Sequence, residues 1–120
     1  MVTSTTFDEL NVTQALSDNG AVILSVQGPL NGVTFERLEE SIQRVFDQGK
    51  HRLILDLAKV PSVSSSGAGV LMSALAQAQE NNGNIVLVHV GSAVRDILEL
   101  LNLDEILPIA EDMPSALAFV

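Results

Sequence analysis

Two runs, Arg52-Leu53-Ile54-Leu55-Asp56-Leu57 and Asn84-Ile85-Val86-Leu87-Val88-His89-Val90, are nearly continuous in apolar residues. That is the pattern of parallel strands covered on both faces. Between them Val70, Leu71, Ala74, Leu75 and Ala78 recur at helical spacing, and Asn81-Asn82-Gly83 supplies residues that tolerate the left-handed backbone at a helix end. A strand, a helix and a second strand in this order predict a crossover between parallel neighbours.

Upstream, Leu10, Val12 and Leu16 alternate with polar positions. Ser17-Asp18-Asn19-Gly20 then supplies a turn, and Val22, Leu24 and Val26 alternate again. This predicts an N-terminal β-hairpin. After Gly28-Pro29-Leu30-Asn31 the period lengthens: Phe35, Leu38, Ile42 and Val45/Phe46 mark the buried stripe of a helix. Downstream a third helix is expected with Ser92 as N-cap, carrying Val94, Ile97, Leu98 and Leu101 on one face, with Asn102 ending it. A strand from Ile106 to Ala110 and a terminal helix from Pro114 follow. The fold class is α/β: a hairpin, then alternating helices and strands, forming a mixed sheet with packed helices.

The whole chain of 120 residues reads as one domain, 1–120, with its core from about residue 8 to residue 120. It contains no cysteine, which removes disulfides, thiolate metal ligands and cysteine nucleophiles. Six Lys+Arg against fifteen Asp+Glu give a net charge of -9, a surface that repels phosphate backbones and anionic lipid. Direct nucleic-acid binding and membrane insertion are not expected. The first basic residue is Arg37 and the longest strongly apolar stretch, Ile85 to Val90, is too short to span a bilayer. The expected location is the cytoplasm.

The unusual segment is Val63-Ser64-Ser65-Ser66-Gly67-Ala68-Gly69-Val70, at the junction between the first apolar strand and the helix beginning near Ser66. The first N–H groups of a helix are unpaired and carry the positive end of its dipole. A serine there bonds them as a cap, and a phosphate is tolerated there by the helix. It would also add about 1.5 to 2 negative charges that an acidic or apolar partner would reject. Capping, tight packing at the glycines and ordinary loop composition explain the same residues without any function.

His51, His89 and Asp56 complete the residue types of a hydrolytic triad, but the Gly-x-Ser-x-Gly elbow is missing, because no glycine stands within two residues before Ser64, Ser65 or Ser66. No catalytic residue is assigned, and both histidines are read as edge or packing residues. Gly67-Ala68-Gly69 is too short for a dinucleotide fingerprint and lacks the lysine of a phosphate-binding loop. No histidine and carboxylate stand at ligand-like spacing, so neither metal nor cofactor is expected.

The order of elements and the serine segment together resemble the STAS domain of bacterial anti-sigma factor antagonists and of sulfate-transporter tails. Gly28-Pro29-Leu30-Asn31 is similar to the family's Gly-x-Leu-Asp before the first helix, and Leu53-Ile54-Leu55-Asp56-Leu57 to its central strand. Ser65-Ser66-Gly67-Ala68-Gly69-Val70-Leu71 is similar to its Ser-Ser-Gly-Leu-Gly-Val-Leu signature. Val94-Arg95-Asp96-Ile97-Leu98-Glu99-Leu100 with Asn102-Leu103-Asp104 resembles its third helix and ending, Asn102 standing where a glycine is usual.

The resemblance implies a regulator that binds an anti-sigma factor with serine kinase activity, is phosphorylated by it at Ser65, and is restored by a serine phosphatase. Ser64, Ser65, Ser66, Gly67 and Gly69 would form the partner-binding face. The family's aspartate before the phosphorylated serine is here Ser64. Three readings stay open: the kinase accepts the change, Ser64 shares the modification, or the chain is a phosphorylation-independent scaffold or transporter-associated docking subunit. Ala68, in place of the family's leucine, is expected near the contact surface.

Overall fold

The structure, a computed structural model, describes residues 10–120. The expected core start at residue 8 therefore lies outside the described residues. The hairpin strands are β1 (Asn11–Leu16) and β2 (Val22–Gln27), followed by α1 (Phe35–Asp47), β3 (Arg52–Lys59), α2 (Ser65–Glu80), β4 (Asn84–Val88), α3 (Ser92–Leu100), β5 (Ile109–Ala110) and α4 (Met113–Phe119). The strands lie side by side in sequence order, with β1 antiparallel to β2 and every later pair parallel. The mixed sheet and its N-terminal hairpin are as the sequence predicts. The hairpin closes through the Gly20 N–H to the Ser17 carbonyl at 3.1 Å, with Gly20 at φ 88°, where a side chain would be strained.

The pleat divides the apolar strand residues between two clusters. Val22, Leu24 and Val26 of β2, Leu53, Leu55 and Leu57 of β3, and Ile85 and Leu87 of β4 face α1, α2 and α3 in the main core. Ile54, Val86 and Val88 point the other way and form a second cluster with Ala116, against which Ile23, Ala110, Met113, Leu117 and Val120 pack. The continuous apolar runs therefore do mark strands covered on both faces, but one cover is a single helix of seven residues. Farther along that face Thr13, Ser25 and Gln27 are exposed, consistent with a sheet that is wet where α4 does not reach.

Several boundaries differ from the sequence expectation, each for a local reason. β4 ends at Val88 because His89 adopts φ 59°, which breaks the extended backbone. β5 is Ile109–Ala110 rather than Ile106 to Ala110, because the Ile106 and Leu107 N–H groups bond the Leu103 carbonyl in a helical turn. The N-cap of α3 is Gly91, not Ser92: the Arg95 N–H bonds the Gly91 carbonyl, and no side chain caps the helix. On α3 only Val94 and Leu98 are buried; Leu101, expected inward, is exposed. Leu16, at the hairpin end beyond the covering helices, is exposed as well. The two asparagine helix endings hold, with Asn82 at φ 63° and Asn102 at φ 59°.

Two close approaches fix the chain between elements. A Cβ on Gly83 would stand 1.8 Å from the His51 carbonyl oxygen, so only glycine lets the turn before β4 lie against the start of β3. A Cβ on Gly67 would stand 2.7 Å from both Cγ and the carbonyl oxygen of Leu30. Exposed Gly69 has nothing within 4 Å of its Cβ position. Replacing each glycine of α2 by alanine should therefore act oppositely. Gly67→Ala should lower stability by about 1 to 3 kcal/mol through overpacking, while Gly69→Ala should raise it by up to about 1 kcal/mol through helix propensity. Urea unfolding of the two variants checks both signs.

At the other end of the chain, α4 is capped by Asp112, whose carboxylate accepts the Ser115 N–H at 2.9 Å. This bond, aided by the Ser115 side chain and least by the nearby charge of His89, holds the Asp112 carboxyl below its ordinary value of 3.8. A lowered folded-state pKa gives stability that is present above the unfolded value and lost as pH falls through the folded one. Amide resonances of α4 should accordingly loosen only below about pH 4. In Asp112→Asn, whose side-chain oxygen accepts at any pH, that acid response should disappear from the nitrogen–proton spectra.

Candidate functional site

The serine segment lies where two loops are joined. Beyond the end of the β2–β3 ladder, the Leu30 N–H bonds the Ser62 carbonyl at 3.0 Å and the Ser64 N–H bonds the Leu30 carbonyl at 2.8 Å, making a parallel bridge between Leu30 and Val63. Leu30 is fully buried, with Gly67 lying against it. The loop before α1 and the start of α2 are therefore one rigid unit, although more than thirty positions separate Leu30 from Ser64 in the chain.

The loop before α1 is also closed on itself. The Asn31 side-chain oxygen accepts the N–H groups of Val33 at 2.8 Å and Thr34 at 3.2 Å. In return the Thr34 hydroxyl accepts the Asn31 N–H at 3.0 Å and donates to the Pro29 carbonyl at 2.7 Å. Thr34 is the one buried polar residue among those described. These reciprocal bonds close the turn that leads into α1, whose own first turn has no side-chain cap. Sequence reasoning missed it, though its signal is visible: Asn31 stands three residues before Thr34, just ahead of the apolar stripe. It leaves Gly32 and Val33 facing solvent, Val33 with 73% of its surface exposed. A Cβ on Gly32 would come within 4.0 Å of the Ser66 Oγ, so this loop and the serines share one surface.

Within the segment each residue has a different task. Ser64 is the N-cap of α2, in extended conformation, its Oγ accepting the Gly67 N–H at 3.3 Å while its carbonyl takes the Ala68 N–H at 2.9 Å. Ser65 and Ser66 open the helix and are exposed. Gly67 is buried, so its part in the surface is to let Leu30 and the preceding loop come close. Ala68 is also buried, 1% exposed in the main core, which corrects the expectation that it lies near a contact surface. Gly69 is exposed in the first turns of the helix. No acidic residue stands in the first turn of α2, so the positive end of its dipole is not neutralised by its own side chains.

The histidines sit apart from the serines. His51 stacks on Phe46 with ring centroids 5.0 Å apart, and the His89 Nδ1 lies 3.0 Å from an Asp56 carboxylate oxygen. Among the described residues, no serine hydrogen-bonds either imidazole, and no group of three or more His, Asp or Glu side chains is placed to hold a metal ion. No helix among them is long and apolar enough to cross a membrane. The groove of about 390 Å³ between α1 and α2, lined by Ile42, Phe46, Val70 and Ala74 among others, includes none of the three serines.

Comparison with known proteins gives the same frame. The Mycobacterium tuberculosis anti-sigma-F factor antagonist RsfB is 31% identical over 116 residues, covering 94% of this chain and 91% of RsfB. BtrV, a candidate anti-sigma factor antagonist of Bordetella bronchiseptica, is 30% identical over 100 residues, 83% of this chain and 86% of BtrV. The crystal structure of an anti-sigma factor antagonist from Mycobacterium paratuberculosis superposes with a TM-score of 0.84 at 27% identity, covering 94% of this chain and 95% of that one. The STAS domain profile matches residues 13–116, from within β1 to the middle of α4, and with the five-stranded mixed sheet and the serine-capped α2 it establishes that this chain belongs to the STAS domain family.

Proposed function

We propose that the protein is an anti-sigma factor antagonist that docks the start of α2 and the adjoining loop before α1 onto an anti-sigma factor with serine kinase activity, and is released by phosphorylation at Ser65. The relatives named as anti-sigma factor antagonists support the antagonist role. The observation that carries the switch is the division of labour at the helix start. Ser64 supplies the cap, which leaves the exposed Ser65 hydroxyl available without cost to the fold.

The substitution of serine for the family's aspartate fits this reading. Either side chain accepts a backbone N–H as N-cap, so the geometry that presents Ser65 is kept while one negative charge is removed. A phosphate on Ser65 would then lie by the positive end of α2, where the helix accommodates it. The docking face, by contrast, would acquire a charge its partner is not built to receive. A serine phosphatase would restore the binding form, and Ser66 and Gly69 would border the contact. No cofactor of the antagonist itself is required, since the kinase brings the nucleotide. The protein would act on transcription only through its partner, in the cytoplasm, without touching nucleic acid or inserting in a membrane.

Two experiments test this. With purified anti-sigma factor and ATP, mass spectrometry should place one phosphate on Ser65. Ser65→Ala should bind the anti-sigma factor as wild type does and take no phosphate, whereas Ser65→Asp should fold normally and lose the partner. Phosphate on Ser64 with Ser65 unmodified, or equal affinity of all three proteins, would refute the assignment and favour a phosphorylation-independent scaffold. Separately, Ser64→Ala should cost about 1 kcal/mol of stability in urea unfolding while Ser64→Asp should cost none, because a carboxylate caps as well as a hydroxyl.

A further inference from the structure

We infer that the end of α3 and the turn after it, residues 99–106, form a second docking surface, and that its occupant is a basic amphipathic segment of another protein. Leu100, Leu101 and Ile106 are 75%, 39% and 52% exposed, half of the large hydrophobic side chains exposed among the described residues, and all three fall within seven positions of the chain. Scattered exposed leucines need no explanation, but a concentration on one segment is the usual mark of an interface. The segment is not loose. The Leu103 N–H bonds the Leu98 carbonyl at 2.8 Å, Asn102 holds the left-handed turn, and Leu98 and Leu107 are buried on either side. The apolar side chains are thus held outward by a fixed backbone, so little order has to be gained on binding.

Charge names the occupant. Glu99, Asp104 and Glu105 are exposed within the same stretch, and after Arg95 the chain has six carboxylates and no Lys, Arg or His. The last turn of α3 carries Glu99 and no basic residue, against the preference of a helix C-terminus for cations. A partner's lysines or arginines would complement both the rim and the helix end while its apolar face covers Leu100 and Ile106. A second copy of this chain would bring the same negative rim, and an anionic membrane would be repelled.

The place in the fold gives the surface its use. β3 and β4 are parallel, α2 begins after the C-terminal end of one and α3 after that of the other, so α3 runs away from the end of the sheet where Ser65 lies. Both surfaces can be occupied at once.

The test uses a fluorescein-labelled Lys/Leu amphipathic helical peptide of about five turns and fluorescence anisotropy at physiological salt. Wild-type protein should bind it saturably at one to one. The charge-neutral variant Leu100→Gln/Leu101→Gln/Ile106→Gln and the rim variant Glu99→Gln/Asp104→Asn/Glu105→Gln should each weaken binding by at least about tenfold, with thermal unfolding unchanged. Leu16→Gln, at another exposed leucine, and Ser65→Asp should bind as wild type, which keeps this result separate from the fate of the phosphorylation switch. Absence of saturable binding overturns the inference. So does equal binding by the glutamine triple variant, which would mean attraction by net charge alone. A wild-type dimer in light scattering that the same variant splits would assign the surface to a second copy instead.

Discussion

Everything at the proposed docking face depends on the seating of Leu30. Its backbone bridges Val63 beyond the end of the β2–β3 ladder, its side chain is completely buried, and the missing side chain of Gly67 lets the first turn of α2 close over it. Backbone groups that would otherwise be orphaned in two loops satisfy each other there. As a result two segments distant in sequence, one closed by the reciprocal Asn31 and Thr34 bonds and the other beginning with Ser64, form a continuous surface whose geometry is set by the sheet.

Upon that frame the helix start separates two jobs that a serine could do. Capping needs an acceptor aimed back at the helix, and Ser64 provides it, which leaves Ser65 exposed and free of that task. Electrostatics favours the same arrangement, since no carboxylate in the first turn competes for the positive end of α2. The positions adjacent to the serines divide likewise between packing and access: Gly67 and Ala68 face inward, while Gly69, Gly32 and Val33 face out.

The sheet is covered unequally, and this shapes the remainder of the molecule. Three helices bury one face, whereas α4 alone covers part of the other and is held by its Asp112 cap, by the Asn19 side chain on the Leu117 carbonyl and by Arg52 on the Val120 carbonyl. A small cluster held by few bonds opens more easily than a large one. The hairpin turn, the start of β3 and the chain end are tied together by those side-chain bonds, while Ala116, Met113 and Leu117 of α4 pack on Ile54 of β3 and on Val86 and Val88 of β4. The uniformly acidic stretch after Arg95 lies on this same late part of the chain and repels anionic partners.

Hydrophobic periodicity in the sequence determined the α/β class, the hairpin, the central strands and the faces of α1 and α2, because burial of one side of an element imposes a period the residues must obey. It also determined the asparagine helix endings, since only a few residue types adopt left-handed backbone without strain. Local pattern could not show which loop would lie against the serines, because the Leu30–Val63 bridge joins residues whose own neighbourhoods contain no trace of each other. Nor could it show that Ala68 is core, that His89 ends β4 and pairs with Asp56, or that Leu101 stays in solvent although it falls on a helical stripe. Periodicity tells which side chains seek cover, but tertiary packing decides how far the cover extends, and here it stops short of the end of α3.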